Sequence, residues 1–145
     1  MKREGLEMIG LAPVFITRPV GPSIRHYANS AVLAAAECGP EELLHRLKSL
    51  EHRFGTRRGQ RWTARVLDCD IVLWDGGSWS SRGLTIPHPR FRERAFVLTP
   101  AVRIARGWRD PLTGLTLNHL HARLTRPRPR PSGTTHATPR GKRGP

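Results

Sequence analysis

Apolar residues in this chain follow two spacings, and the spacings predict its elements. Residues 8–17 place Ile9, Leu11, Val14, Phe15 and Ile16 around Pro13. Proline has no N–H for a ladder, so this stretch reads as an edge strand. Residues 27–36, Tyr-Ala-Asn-Ser-Ala-Val-Leu-Ala-Ala-Ala, contain the best helix former. A helix with its own start follows at once, however, and we read 27–36 as a second strand. Within it Asn29 is either an exposed strand residue or a buried amide that needs partners. The helix over residues 40–55 is the clearest element. Pro40 stands in its first turn with Glu41 and Glu42 near the positive dipole end, and Gly55 stops it. Leu43, Leu44, Leu47, Leu50 and Phe54 form an apolar stripe that predicts core packing.

The pattern then breaks. Residues 55–65, Gly-Thr-Arg-Arg-Gly-Gln-Arg-Trp-Thr-Ala-Arg, hold four arginines and no acid, which predicts a mobile loop. Trp62 within it is either a rim contact on the core or a stacking surface for a ring. Residues 67–74, Leu-Asp-Cys-Asp-Ile-Val-Leu-Trp, alternate as a strand and end in the turn Asp75-Gly76-Gly77-Ser78. A short loop carries Trp79 and Arg82. The extended, proline-locked run Leu84-Thr85-Ile86-Pro87-His88-Pro89 follows, with His88 either exposed or presented at a fixed angle. Residues 90–94 read as a helical turn, 95–98 as an apolar run and 100–105 as another helical turn. Residues 107–114 form a hairpin-like turn before a last short helix over 115–124. At the front, residues 2–5 resemble the end of a helix closed by Gly5.

A chain of 145 residues supports one core. Its 25 Lys and Arg against 11 Asp and Glu give a formal charge of +14. Five Arg and one Lys, with no acid, lie between Arg126 and Pro145, which leaves +8 on the chain before them. That tail is Arg-Pro repetitive and is expected to be disordered. We therefore divide the chain into a domain over 1–125 and a basic tail over 126–145. Cys38 and Cys69 show no metal-binding spacing, and no run reaches a membrane span's length or forms a signal peptide. A reduced, cytoplasmic protein is expected.

On a strand, Asp68 and Asp70 share a face, while Leu67, Cys69 and Ile71 take the other. Two carboxylates so placed repel unless a cation sits between them, and an oxygen-only pair suits Mg²⁺ better than zinc. Solvated acids on an exposed face would produce the same pattern. The sequence leaves both readings open at this level.

Joined to Thr85-Ile86-Pro87-His88-Pro89 and Arg94-Ala95-Phe96-Val97-Leu98, residues 61–70 resemble the dihydropterin pyrophosphokinase family of folate synthesis. That family carries a Trp-Gly-Pro-Arg-x-x-Asp-Leu-Asp-Ile run, then Ile-Pro-His-Pro and Arg-x-Phe-Val-Leu at similar spacings. The resemblance spans residues 6–124. It implies an α+β, ferredoxin-like pyrophosphokinase fold, an antiparallel sheet packed by helices. It also implies transfer of pyrophosphate from ATP to 6-hydroxymethyl-7,8-dihydropterin with two Mg²⁺ ions. By the same resemblance Asp68 and Asp70 are the metal ligands, and Glu51, Arg65, Thr85, His88 and Arg94 bind ATP. Arg57, Arg58, Arg61 and Arg65 are catalytic residues of a closing loop. Thr17, Val20, Tyr27, Asn29, Trp62 and Phe96 line the pterin pocket. A monomer is expected, with neither a nucleic-acid nor a membrane partner.

The chain departs from the family at several points. Thr63-Ala64 stands for Gly-Pro, Ser23-Ile24-Arg25-His26 for an Asp-Gln-Pro stretch, and Gly83 for a frequent arginine. Family members also begin with a strand, a Gly-Ser-Asn loop and most of a helix that have no counterpart here. In a ferredoxin-like sheet that strand is central, so its neighbours are expected to lack a ladder partner and the chain to be weakly folded or inactive as written. Other readings are a basic nucleic-acid-binding protein and a non-catalytic remnant that binds ATP or pterin.

Overall fold

The structure, a computed structural model, describes residues 5–18, 26–55 and 67–129. Gly5, with φ of 69°, turns the chain into the first strand. Four strands then make two antiparallel pairs along one bent hairpin. They are β1 (Leu6–Leu11), β2 (Phe15–Thr17), β3 (Tyr27–Asn29) and β4 (Val32–Ala36). β1 pairs with β4 from Leu6↔Ala36 to Leu11↔Val32, with a register shift between Met8 and Gly10. β2 pairs with β3 through Phe15↔Asn29, Ile16↔Ala28 and Thr17↔Tyr27. Each of the two strands expected from sequence is therefore broken in the middle. Pro13 supplies the physical reason, because it cannot donate to the ladder. The gap is bridged by the Ala12 N–H to the Ala31 carbonyl and the Ser30 hydroxyl to the Ala12 carbonyl, both at 2.9 Å.

Helix α1 (Pro40–Gly55) follows as its capping signals predict. Its stripe does not: Leu43, Leu44 and Leu47 are half-buried, and Leu50 and Phe54 are exposed. The core forms elsewhere, around Phe91, Leu98, Leu117 and Leu120, with Val72, Leu73 and Trp108 packed against it. Its main helices are α2 (Ala95–Ala105) and α3 (Leu117–Thr125), preceded by a 3-10 turn at Phe91–Glu93. α2 runs through Pro100 instead of splitting into an apolar run and a separate turn. Pro100 is fully buried, and that packing offsets its missing N–H.

Residues 67–74 are a clear difference from expectation. They keep the alternating exposure of a strand up to Ile71, yet no strand among the described residues pairs with them. A strand needs a neighbour as well as a pattern, and here the His88 N–H to the Val72 carbonyl at 3.0 Å is one backbone contact that ties the segment down. Beyond it, β5 (Trp79–Ser81) and β6 (Leu84–Ile86) form a hairpin where a loop and an isolated extended run were expected. The α+β class, with antiparallel strands and helices, agrees with the ferredoxin-like expectation. Residues 2–4 of the expected N-terminal helix end lie outside the described residues, as does the tail from 130 onward.

The loop between α2 and α3 is closed by one buried acid. Asp110, without measurable exposure, accepts two 2.6 Å bonds from Arg92, one from Nε and one from Nη2. It also accepts the Thr113 hydroxyl at 2.7 Å and the Leu112 N–H at 3.1 Å. A bidentate guanidinium together with two local donors satisfies the carboxylate that the fold has removed from water. This pair was not anticipated from sequence.

Candidate active site

The backbone between the two aspartates is held by α1. The Cys69 N–H donates to Glu51 Oε1 at 2.6 Å, and Lys48 Nζ donates to both Glu51 oxygens at 2.9 and 3.1 Å. The Glu51 side chain is only 10% exposed, which suits a carboxylate with charged and backbone donors already in place. Glu51 sits beside the acidic segment and lines neither of the grooves described below. Its bond to Lys48 raises that ammonium's pKa, against a smaller opposing effect of burial. Burial pushes the Cys69 thiol up, and the neighbouring acid Glu51 adds to it.

Asp68 and Asp70 are exposed, while Leu67, Cys69 and Ile71 are half-buried, as a period of two requires. Each acid faces a cation or a potential one. Lys48 Nζ lies 3.7 Å from Asp68 Oδ1, and His88 Nε2 lies 3.9 Å from Asp70 Oδ2. The imidazole is oriented from its other side, because His88 Nδ1 accepts the Arg90 N–H at 3.1 Å. Nε2 is then the nitrogen that carries the proton toward Asp70.

His88, Asp70, Thr85 and Lys48 line one groove of about 330 Å³, walled by Leu44 and Leu84. A second, of about 280 Å³, adjoins it between α1 and the β5–β6 hairpin, with Glu41, His45, Ser81 and Arg82 on its walls. Lys48, Leu44 and Leu84 are common to both. The segment carrying the acids, the proline-locked run and α1 thus converge on one concave surface.

At the β2–β3 pair, Asn29 Nδ2 donates to Thr17 Oγ1 at 3.0 Å, and Thr17 faces Tyr27 across the ladder. The Tyr27 ring is half exposed. Phe96, also exposed, stands near the start of α2, the helix that packs against β2 and β3. The Arg94 guanidinium lies 5.6 Å from the centre of the Phe96 ring and does not line the grooves. Two groups of candidate residues are therefore assembled. One is Asp68, Asp70, Thr85 and His88 with Glu51 behind them; the other is Thr17, Tyr27 and Asn29, with Phe96 and Arg94 on the adjoining helix. Val20, Arg57, Arg58, Arg61, Trp62 and Arg65 lie outside the described residues. Lys48 was missed, although its position three residues before Glu51 on a helix places both on one face.

The profile of the 7,8-dihydro-6-hydroxymethylpterin-pyrophosphokinase (HPPK) family matches residues 1–106. The chain belongs to the HPPK family. It is 35% identical over 116 residues to the 2-amino-4-hydroxy-6-hydroxymethyldihydropteridine pyrophosphokinase of Synechocystis, covering 80% of this chain and 60% of that protein. To the protein of that name from Methylorubrum extorquens it is 35% identical over 102 residues, 70% of this chain and 65% of the relative. The mitochondrial folate synthesis bifunctional protein of Arabidopsis thaliana is 39% identical over 103 residues, 70% of this chain and 19% of that protein. The chain thus spans about 60% of the length of the Synechocystis relative. Within this HPPK chain, no described helix is long and apolar enough to cross a membrane.

Proposed function

We propose that this chain is a Mg²⁺-dependent pyrophosphokinase that moves the terminal diphosphate of ATP onto the hydroxymethyl oxygen of 6-hydroxymethyl-7,8-dihydropterin. The observation that carries the reading is the meeting of two distant motifs in one groove, with His88 facing Asp70 and Thr85 alongside. The hydroxymethyl oxygen bonds to the β-phosphorus, the bond to the α–β bridging oxygen breaks, AMP leaves, and the hydroxyl proton is released.

The donor set fits the metal. Asp68 and Asp70 offer only oxygen, the donor that a hard dication prefers. Mg²⁺ commonly takes one or two carboxylates and completes its shell with water and substrate phosphate. Asp68 and Asp70 would hold two such ions, which supply charge neutralisation on the phosphate oxygens. His88 and Thr85 contact the phosphates, with Glu51 supporting the acid segment from behind. Arg94 joins them on the ATP side, and Arg57, Arg58, Arg61 and Arg65 close over the reactants. Asn29 and Thr17 read the polar edge of the pterin, and Tyr27, Trp62 and Phe96 stack against its ring, with Val20 at its margin.

Residues 1–125 are the catalytic domain in this reading, a cytoplasmic monomer followed by a basic tail. The exposed Met8, Ile9, Leu11 and Val32, together with the lack of a ladder strand beside residues 67–74 among the described residues, support the reading of a marginally stable chain. The deciding experiment measures pterin-dependent AMP release from ATP by the wild type and by Asp70→Asn. A loss of at least about a hundredfold is expected on the substitution, since even outer-shell changes at metal sites cost about 10- to 100-fold. Undiminished turnover by Asp70→Asn would sink the assignment.

A further inference from the structure

The acid pair carries a built-in cation. Lys48 Nζ is fixed on α1 by the two oxygens of Glu51, at 2.9 and 3.1 Å, and reaches to 3.7 Å from Asp68 Oδ1. It also lies where the two grooves join, since it lines both. Its side chain is 44% exposed, so the ammonium has room to leave Asp68 along its flexible stem. Glu51 meanwhile keeps its second partner, the Cys69 N–H, so the backbone of the acid segment stays held when the ammonium moves.

We propose that Lys48 is an internal counter-ion of the acid pair, which stands in for a divalent cation at Asp68 while the groove is empty and couples cation binding to nucleotide binding. This rests on the reading of Asp68 and Asp70 as the cation-holding pair. A dication arriving at Asp68 meets a like charge already beside that carboxylate, which weakens its binding to the empty protein. A polyphosphate in the groove gives the ammonium other oxygens to contact and removes its competition with a metal at Asp68. Each ligand then strengthens the other, because coupling of binding free energies is reciprocal. Lys48 acts here as a positioning residue, and its signature is a change in that coupling.

The test uses Mn²⁺ as the probe, with free ion read by electron paramagnetic resonance, on the full chain with and without an ATP analogue carrying a methylene α–β bridge. Lys48→Met should bind Mn²⁺ about three- to fivefold more tightly than wild type when no nucleotide is present, the scale set by a partly exposed ion pair. The gain in Mn²⁺ affinity caused by the analogue should shrink in the same variant. Lys48→Gln should match Lys48→Met, and Lys48→Arg should match wild type. Equal or weaker Mn²⁺ binding by both neutral variants would overturn the proposal. Asp70→Asn separates the two levels. If it abolishes Mn²⁺ binding while the Lys48 variants behave as wild type, the counter-ion role alone fails. Mn²⁺ binding unchanged by Asp70→Asn would remove the acid pair as the site, and the role of Lys48 with it.

Discussion

The carboxylate of Glu51 accepts the backbone N–H of Cys69 at 2.6 Å, so a helix residue grips the chain between Asp68 and Asp70. Eighteen positions separate the two partners, and the bond anchors the backbone between the two aspartates. A segment without a ladder neighbour among the described residues depends on such single ties.

Removing that tie should loosen the segment. Glu51→Ala strands a half-buried N–H and should lower stability by about 1.5–3 kcal/mol, the range for hydrogen bonds to charged groups. Glu51→Gln retains an acceptor and should lose less. Urea unfolding followed by circular dichroism measures both, and a wild-type midpoint for Glu51→Ala would count against the tie.

The Asp110–Arg92 pair predicts a specific acid response. Its bonds with Arg92, helped by Thr113 and Leu112 and opposed by burial, hold the Asp110 carboxyl down at about 2 from an ordinary 3.8. Because the folded value is depressed, the associated stability is fully present above about pH 4 and is lost as pH falls through about 2. The size is about 2 kcal/mol. Asp110→Asn should be less stable than wild type at neutral pH, and the difference should narrow across that acid window. Urea midpoints for the two proteins at several pH values decide it; a constant gap would contradict the shift.

Gly76 is required by a ring. A Cβ at this position would fall well inside contact distance of the Trp74 indole, which packs edge to face with Trp79 at 5.9 Å between centroids. Gly76→Ala should displace that indole, cost about 1–3 kcal/mol as over-packing does, and alter tryptophan fluorescence. An unchanged emission spectrum and unfolding midpoint would show that the turn yields freely.

In the proposed pterin site, Asn29 is the amide that would read the polar edge of the ring. Its amide already spends one donor on Thr17 Oγ1 at 3.0 Å, which orients the remaining amide groups. Asn29→Ala should weaken pterin affinity about tenfold or more, while leaving the affinity for the ATP analogue near wild type. Calorimetric titration with each ligand separately tests this, and equal losses for both would point to a general structural defect.

Local signals predicted much of the helical part. Pro40, the paired glutamates and Gly55 bound α1 as expected, because capping depends on nearby backbone groups. The Leu43-to-Phe54 stripe was misleading as a guide to the core. Amphipathic spacing tells which side of a helix is apolar, and only packing tells what covers it. Likewise Pro13 marked a weak point in a strand, yet the split into β1 and β2 depended on how the opposite strand was bridged at Ala31 and Ser30.

By itself the sequence determined that Asp68 and Asp70 share a face, since that follows from the pleat of one extended segment. It also determined the family motifs and their order. Tertiary structure decided that His88 faces Asp70, that Glu51 holds Cys69, that Lys48 sits beside Asp68, and that Arg92 closes on Asp110. Those contacts join residues from separate elements. Their distances are set by how helices, hairpin and loops pack together, which no spacing along the chain encodes.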